Sequence, residues 1–260
     1  MKDQIERKRA RGIDRAFDIL DHLRAVGRPQ RPGEIAQALG APKSTVYDLV
    51  ATLIDHGMLE TVDSQGNVFL GRRLYFLGLA YQEHFDLGRE AGVLLKEITA
   101  TTSETSQFCM LDGDKYTVAM MCEGSRPFRI SADVGERTPI PWTASGRLLL
   151  GDMSDDEILT FIPPEDFILP NGERLDQDAF LAEVRAARKE GFFSFDSIVD
   201  SFTHCFAAPV CDEAGKCVAT LCIVAPKNDA RAHYDSYRKI LIEAGHKLSG
   251  LLSGQAARDK

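Results

Sequence analysis

The stretch APKSTVYDLVATLIDHG, residues 41–57, decides how the first quarter of the chain folds. Val46, Leu49, Val50, Leu53 and Ile54 recur at i, i+3, i+4, i+7 and i+8, which gathers one apolar face on a helix. The other face holds Lys43, Ser44, Thr45, Tyr47, Asp48, Ala51, Thr52 and Asp55. Its first turn carries a cation, two hydroxyls and a phenol. Such groups bond phosphates or base edges, and a helix N-terminus favours phosphate. Gly57 ends the helix.

Upstream, PGEIAQALG reads as a short helix opened by Pro32, burying Ile35, Ala36 and Leu39 and stopped at Gly40. Before it, IDRAFDILDHL places Ile13, Ala16, Phe17, Leu20 and Leu23 on one stripe, and GRPQRPG breaks the chain. Downstream, Leu59–Val62 and Val68–Leu70 read as strands around the turn-former cluster DSQGN. Three helices and a hairpin make a winged helix-turn-helix, whose last helix normally lies in the major groove. The candidate DNA contacts are Arg11, Arg31, Lys43, Ser44, Thr45, Tyr47 and Asp48, with Gln65 and Asn67 from the hairpin tip.

Charge separates the two ends. Residues 1–47 hold ten Lys or Arg against six Asp or Glu, whereas residues 76–260 hold nineteen against twenty-nine. The formal net charge of −8 therefore belongs to the later part of the chain and does not exclude DNA binding. No apolar run approaches the ~20 residues of a membrane span. The N-terminus MKDQIERKRARG lacks the apolar core of a signal peptide, so a cytoplasmic protein with no membrane partner is expected. All six cysteines lie between Cys109 and Cys222 without a CxxC pair, a pattern that fits reduced thiols.

Beyond residue 71, RRLYFLGLAYQEHF puts Leu74, Leu77, Gly78, Tyr81 and Phe85 on one stripe. A second stripe, Ala91, Leu94, Leu95 and Ile98, opens the remaining segment. SQFCMLD and YTVAMMCEG read as a hairpin, FRISADVG as a further strand, and WTASGRLLLGDM and SDDEILTFI as helices, the latter with a capping box from Ser154 to Glu157. DQDAFLAEVRAARKEG is a helix ending at Gly191. FFSFD, FTHCFAAPV and KCVATLCIVAP are strands, and a long amphipathic helix through Tyr237, Ile240, Leu241, Ala244 and Leu248 closes the chain. Strands flanked by helices give an α+β domain with a mixed or antiparallel sheet.

RAFDIL, EIAQALGAPKSTVYDLVATLIDHGML and LGRRLYFLG, then ETSQFCMLDGDKYTVAMM and AAPVCDEAGKCVATLCIVAP, resemble the IclR family of bacterial transcription regulators along nearly the whole chain. The resemblance implies a winged helix-turn-helix over residues 1–71, a linker helix over 72–85 that packs on a partner chain, and a GAF-like effector-binding and oligomerisation domain over 86–260. It implies a dimer or dimer of dimers on a palindromic double-stranded operator, most often a repressor. The expected role is repression of a catabolic operon, relieved by a small organic acid or related metabolite. Family members commonly carry arginine where this chain has Asp48. An acid there is able to accept from a cytosine amino group or to pair with a neighbour such as Arg31. Asp48 also motivates two alternatives, a sensory or interaction protein with weakened DNA binding and, less favoured, an activator.

The family's pocket positions carry over by motif onto Ala144 and Ser145 of WTASGR, Asp196 and Cys205 of SFDSIVDSFTHCFAAPV, and Cys222 and Val224 of LCIVAP. Pro141–Trp142, Phe202 and His204 depart from the family pattern and alter the pocket's size and charge. For Cys205 and Cys222 the competing reading is a small buried hydrophobe. His204 and Cys205 point to opposite faces of a strand, and Cys211 with Cys217 supplies two ligands, so no metal site is expected. No GxSxG, HExxH, phosphate loop or dinucleotide fingerprint occurs, so neither an enzyme nor a cofactor is expected.

Overall fold

A computed structural model of the chain describes residues 2–84, 87–126 and 132–252, with side-chain surroundings defined for 12–80, 87–126 and 132–252. The chain divides into two compact units, Met1–Phe85 and Asp86–Lys260.

In the first unit α1 (Lys2–Val26), α2 (Pro32–Ala38) and α3 (Lys43–Asp55) precede a hairpin of β1 (Leu59–Thr61) and β2 (Val68–Leu70), and α4 (Arg72–His84) follows. The Arg31 N–H before α2 donates to the Glu34 carboxylate at 2.8 Å. Gly40 and Gly57 leave α2 and α3 at φ of 57° and 71°, a backbone conformation that side chains with a Cβ disfavour. Ile19, Leu23, Ile35, Ala36, Val46, Val50, Leu59 and Val68 form the core, with Leu49, Leu53 and Ile54 packed at its edge. Gln30 bridges Val68 with a hydrogen bond in each direction, at 3.1 and 2.8 Å.

The stripe expected on α1 is partly wrong. Ile13 and Phe17 are 60% and 59% exposed, while Ile19 is fully buried. Leu23 follows Ile19 by one turn and shares its side, whereas Ile13 and Phe17 lie roughly 120° and 160° around the helix from Ile19. The apolar spacing was real, but packing selected the neighbouring line.

The second unit opens with α5 (Leu87–Thr102), then β3 (Thr105–Asp112), β4 (Lys115–Cys122) and β5 (Arg137–Pro139). A 3-10 turn (Ile140–Trp142) leads into α6 (Ala144–Leu149) and α7 (Asp155–Phe161). A second 3-10 turn (Pro164–Phe167), α8 (Gln177–Glu190), β6 (Phe193–Asp196), β7 (Thr203–Cys211), β8 (Cys217–Pro226), α9 (Lys227–Ala232) and α10 (Tyr234–Leu252) complete it. Ser154 and Glu157 form the expected capping box, and Gly191 ends α8 at φ 63°. Of the strand expected over 128–135, the described residues 132–135 form a turn and not a strand. Its first four residues lie outside the described ones, and the strand that pairs with β4 is the short segment Arg137–Pro139.

The six strands run antiparallel in the order β5-β4-β3-β8-β7-β6. Alternation from Ala219 onward sorts the residues of β8. Ala219, Leu221, Ile223 and Ala225 join the core under α5 and α10, while Cys222 joins the core under α6, α7 and α8. The second face, between the sheet and the Trp142–Ser145 segment, lines a cavity.

Candidate functional site

On α3 the side chains of Lys43, Ser44, Asp48, Ala51, Thr52 and Asp55 are exposed, Tyr47 is 53% exposed, and Thr45 is half-buried. Tyr47 reaches toward the start of α2: its hydroxyl stands 3.7 Å from the position a Cβ on Gly33 would take. Among the described residues Asp48 makes no ion pair. Its main-chain carbonyl accepts from the Thr52 hydroxyl at 2.9 Å, and its carboxylate faces outward. The alternative pairing with Arg31 does not form, because Arg31 Nη2 donates instead to Gln65 Oε1 at 2.9 Å.

The hairpin tip is internally tied. Asp63 accepts from the backbone N–H groups of Gln65 and Asn67 and from the Asn67 side chain, at 2.9, 3.1 and 2.6 Å. The Asn67 side-chain bond is the first cause that holds the Asp63 carboxyl below its ordinary range. Asn67 therefore shapes the turn, and Gln65 is joined to the helix that precedes α3. The Arg11 side chain lies outside the described residues.

The cavity of the second unit measures about 200 Å³. Ala144, Ser145, Cys205, Cys222 and Val224 all line it, brought together from α6, β7 and β8. Asp196 is not in the lining. It sits at the end of β6, where its Oδ1 lies 2.8 Å from His204 Nδ1 and its Oδ2 3.6 Å from Lys227 Nζ, and the His204 bond leads the effects that lower its pKa. The loop acid that reaches the cavity is Asp200, four residues on. Burial works against its charge, but hydrogen bonds from Thr203, Ser197 and the backbone N–H of Phe202 outweigh it and hold the carboxyl low.

The wall formed by residues 141–145 is fixed by a buried cation. Arg147, 4% exposed, donates to the carbonyls of Pro141 and Thr143 at 2.6 and 2.7 Å and to Glu183 at 2.9 and 3.1 Å. The rings of Phe180, Phe193 and Phe195 surround its guanidinium at 4.8–5.4 Å. Trp142 lines the cavity while its indole N–H donates to the Asp166 carbonyl at 2.8 Å. Thr143 caps α6 by accepting from Gly146 N at 3.0 Å. That N–H is therefore not free for a ligand, and α6 is only six residues long.

Sequence reasoning missed Gln107, Tyr116 and Asp200 in the lining. The period-2 alternation of β3 places Gln107 and Cys109 on one face and was available as a signal. Asp200 carries no such signal, because a loop has no period. The described lining includes the carboxylates Asp133, Glu136 and Asp200 and, among the described residues, no cation.

Two family models match the chain: the IclR helix-turn-helix domain over residues 12–63 and the bacterial transcriptional regulator IclR C-terminal domain over residues 79–250. The regulator XynR of Escherichia coli is 24% identical over 242 residues, 92% of this chain and 96% of that one. The regulator BhcR of Paracoccus denitrificans is 28% identical over 249 residues, 92% and 86% of the two chains. A solved IclR transcriptional regulator from Alicyclobacillus acidocaldarius superposes with a TM-score of 0.75 at 21% identity, covering 94% and 98% of the chains. An IclR homolog from Microbacterium hydrocarbonoxydans, solved with 4-hydroxybenzoate, gives a TM-score of 0.75 at 22% identity over 93% and 98%. The matched families and relatives are transcription regulators, not enzymes.

Proposed function

The chain belongs to the IclR family of bacterial DNA-binding transcription regulators, with an effector-binding C-terminal domain, and from that premise we propose that it represses a catabolic operon until a small metabolite fills the cavity of the second unit. The observation that carries this reading is the convergence of Ala144, Ser145, Cys205, Cys222 and Val224 on one cavity. At about 200 Å³ that space falls below the 300–1,000 Å³ range of ordinary ligand sites, which favours a small compound. A small organic acid remains the proposed class. With Asp133, Glu136 and Asp200 nearby, its carboxylate would be held by an amide donor such as Gln107.

The first unit supplies the operator contacts. Lys43, Ser44, Thr45 and Tyr47 lead a helix whose outward face is open, and Arg31 and Gln65 link that unit's α2 to the hairpin tip. Tyr75, Phe76 and Leu77 on α4 are 52–66% exposed, and Ile13 and Phe17 on α1 are similarly bare. Exposed apolar rows of this kind support self-association, as a dimer or dimer of dimers on a palindromic site. Of the expected α4 stripe, Leu77 and Gly78 are exposed and Leu74 is half-buried, while Tyr81 and Phe85 lie outside the side chains described.

Gel shifts on DNA upstream of the chain's own gene, run with and without a panel of small acids, test the reading. A specific shift released by one acid is the expected result. A failure to shift specific DNA under any condition overturns it in favour of a sensory or interaction protein.

A further inference from the structure

The floor of the cavity carries an arrangement that ligand binding alone does not require. Cys222 on β8 and Cys109 on β3 are free thiols with their sulfurs 3.8 Å apart. The Tyr116 hydroxyl donates to the Cys109 sulfur at 2.9 Å, and Cys109 in turn donates to Cys222. From the other side the Thr220 hydroxyl donates to Ser145 at 2.8 Å, which leaves the Ser145 proton for the Cys222 sulfur, also at 2.8 Å. Two donor chains thus end on one sulfur atom. Hydrogen bonds to a charged acceptor are roughly twice as strong as those to a neutral one, so this geometry favours a thiolate.

The other thiols have no such support. Burial pushes Cys205 up to about 12 and raises Cys109 well above the ordinary thiol range. At Cys222 the bond from Cys109, with that from Ser145, outweighs burial and lowers the pKa. The same cavity holds Gln107, the residue paired with Cys222 across β3 and β8. It also holds Thr203, 2% exposed. A structural cysteine would be explained by apolar neighbours alone.

We propose that Cys222 is a nucleophilic site in the effector cavity, and that it adds covalently to small α,β-unsaturated carbonyl compounds. This rests on the reading of the cavity as the effector site. The Cys222 sulfur, having given up its proton, bonds to the β-carbon of the ligand. The π pair of the C=C bond moves to the α-carbon and carbonyl oxygen, where the Gln107 amide N–H supplies a donor. The surrendered proton ends on the α-carbon. Thiol and alkene become a thioether, and no electrons are exchanged with any other reagent.

The test uses the full-length protein and acrylamide, a small member of this class, at less than one equivalent, with peptide mass mapping of all six cysteines. The first label is expected on Cys222. Its rate should fall less between about pH 8.5 and about pH 6 than that of an ordinary thiol, which slows roughly a hundredfold. Ser145→Ala should restore the ordinary pH profile while the thermal melt stays cooperative. Label appearing first on Cys122 or Cys205, an unlabelled Cys222, or a hundredfold pH dependence at Cys222 overturns the proposal. Gel shifts separate the two readings. Labelled Cys222 with unaltered operator affinity would sink the effector reading and leave the nucleophile standing. Operator release by a metabolite that leaves every cysteine unmodified would retain the effector reading and overturn covalent capture as the signal.

Discussion

Arg31 and Gln65, thirty-four positions apart, are joined by a 2.9 Å hydrogen bond from guanidinium to side-chain carbonyl. The bond ties the residue that precedes α2 to the tip of the hairpin. It gives Arg31 two duties, orienting the wing and presenting positive charge. Arg31→Ala is expected to weaken operator binding about tenfold and to lower the salt slope by about one phosphate contact. Gln65→Ala should cost only about twofold and leave the salt slope unchanged, since it removes the tie and not the charge. Equal salt slopes in wild type and Arg31→Ala would confine Arg31 to the wing.

Asp48 faces outward without an ion pair among the described residues. A carboxylate in a major groove accepts hydrogen bonds and repels phosphate, so its favoured partner is a cytosine amino group. Selection of binding sites from randomised duplexes is expected to return one position enriched in cytosine. Asp48→Ala should erase that preference, a loss of about 1–3 kcal/mol of discrimination. Lys43→Ala and Tyr47→Ala should weaken binding about tenfold, Lys43 across all sequences alike. An identical base preference in wild type and Asp48→Ala would remove Asp48 from the reading face.

Arg147 is buried and its bonds to Pro141, Thr143 and Glu183 hold the cavity wall. Arg147→Ala leaves those acceptors unmatched and should lower stability by about 3–5 kcal/mol. Arg147→Lys is expected to recover little, because an ammonium cannot reproduce the planar fork. Denaturant titration measures both. A loss below about 1 kcal/mol in Arg147→Ala would show that the wall is held by packing alone.

Gly146 has no room for a side chain. A Cβ there would lie 2.3 Å from the Ile140 carbonyl oxygen. Gly146→Ala should therefore cost about 1–3 kcal/mol and distort the wall that carries Ala144 and Ser145. Thermal melts with and without a releasing ligand read out both effects. Unaltered melting and release would mean that the turn at Ile140 moves aside freely.

Asp200 gives a pH dependence with a defined sign. Its folded-state carboxyl titrates below the ordinary 3.8, despite burial, because of bonds from Thr203, Ser197 and the Phe202 N–H. Its charge therefore stabilises the folded state above that ordinary value. The contribution is lost as pH falls through the lower, folded-state value. Asp200→Asn should be less stable than wild type at neutral pH, and the two should converge in strong acid. Urea unfolding across that range checks it; a difference that stays constant down to the lowest pH would assign the effect to shape and not charge.

The sequence by itself determined the elements that repeat. The α3 face through Val46 and Val50, the capping box at Ser154, the glycine exits at Gly40, Gly57 and Gly191, and the alternation of β8 all follow from helix and strand periods or local backbone chemistry. Local rules of this kind need no knowledge of distant neighbours. The tertiary structure decided everything that depends on which surface meets which. It buried Ile19 in place of Ile13 and Phe17, because the two lines of apolar residues on α1 are equivalent until α2 and α3 dock. It gave Arg31 to Gln65 and left Asp48 facing outward. It put Asp200 at the cavity and drew Asp196 away to His204, and it brought Ser145 and Thr220 onto the Cys222 sulfur from separate segments. Contacts between residues far apart in the chain form only when the whole core packs at once, and no period in the sequence encodes them.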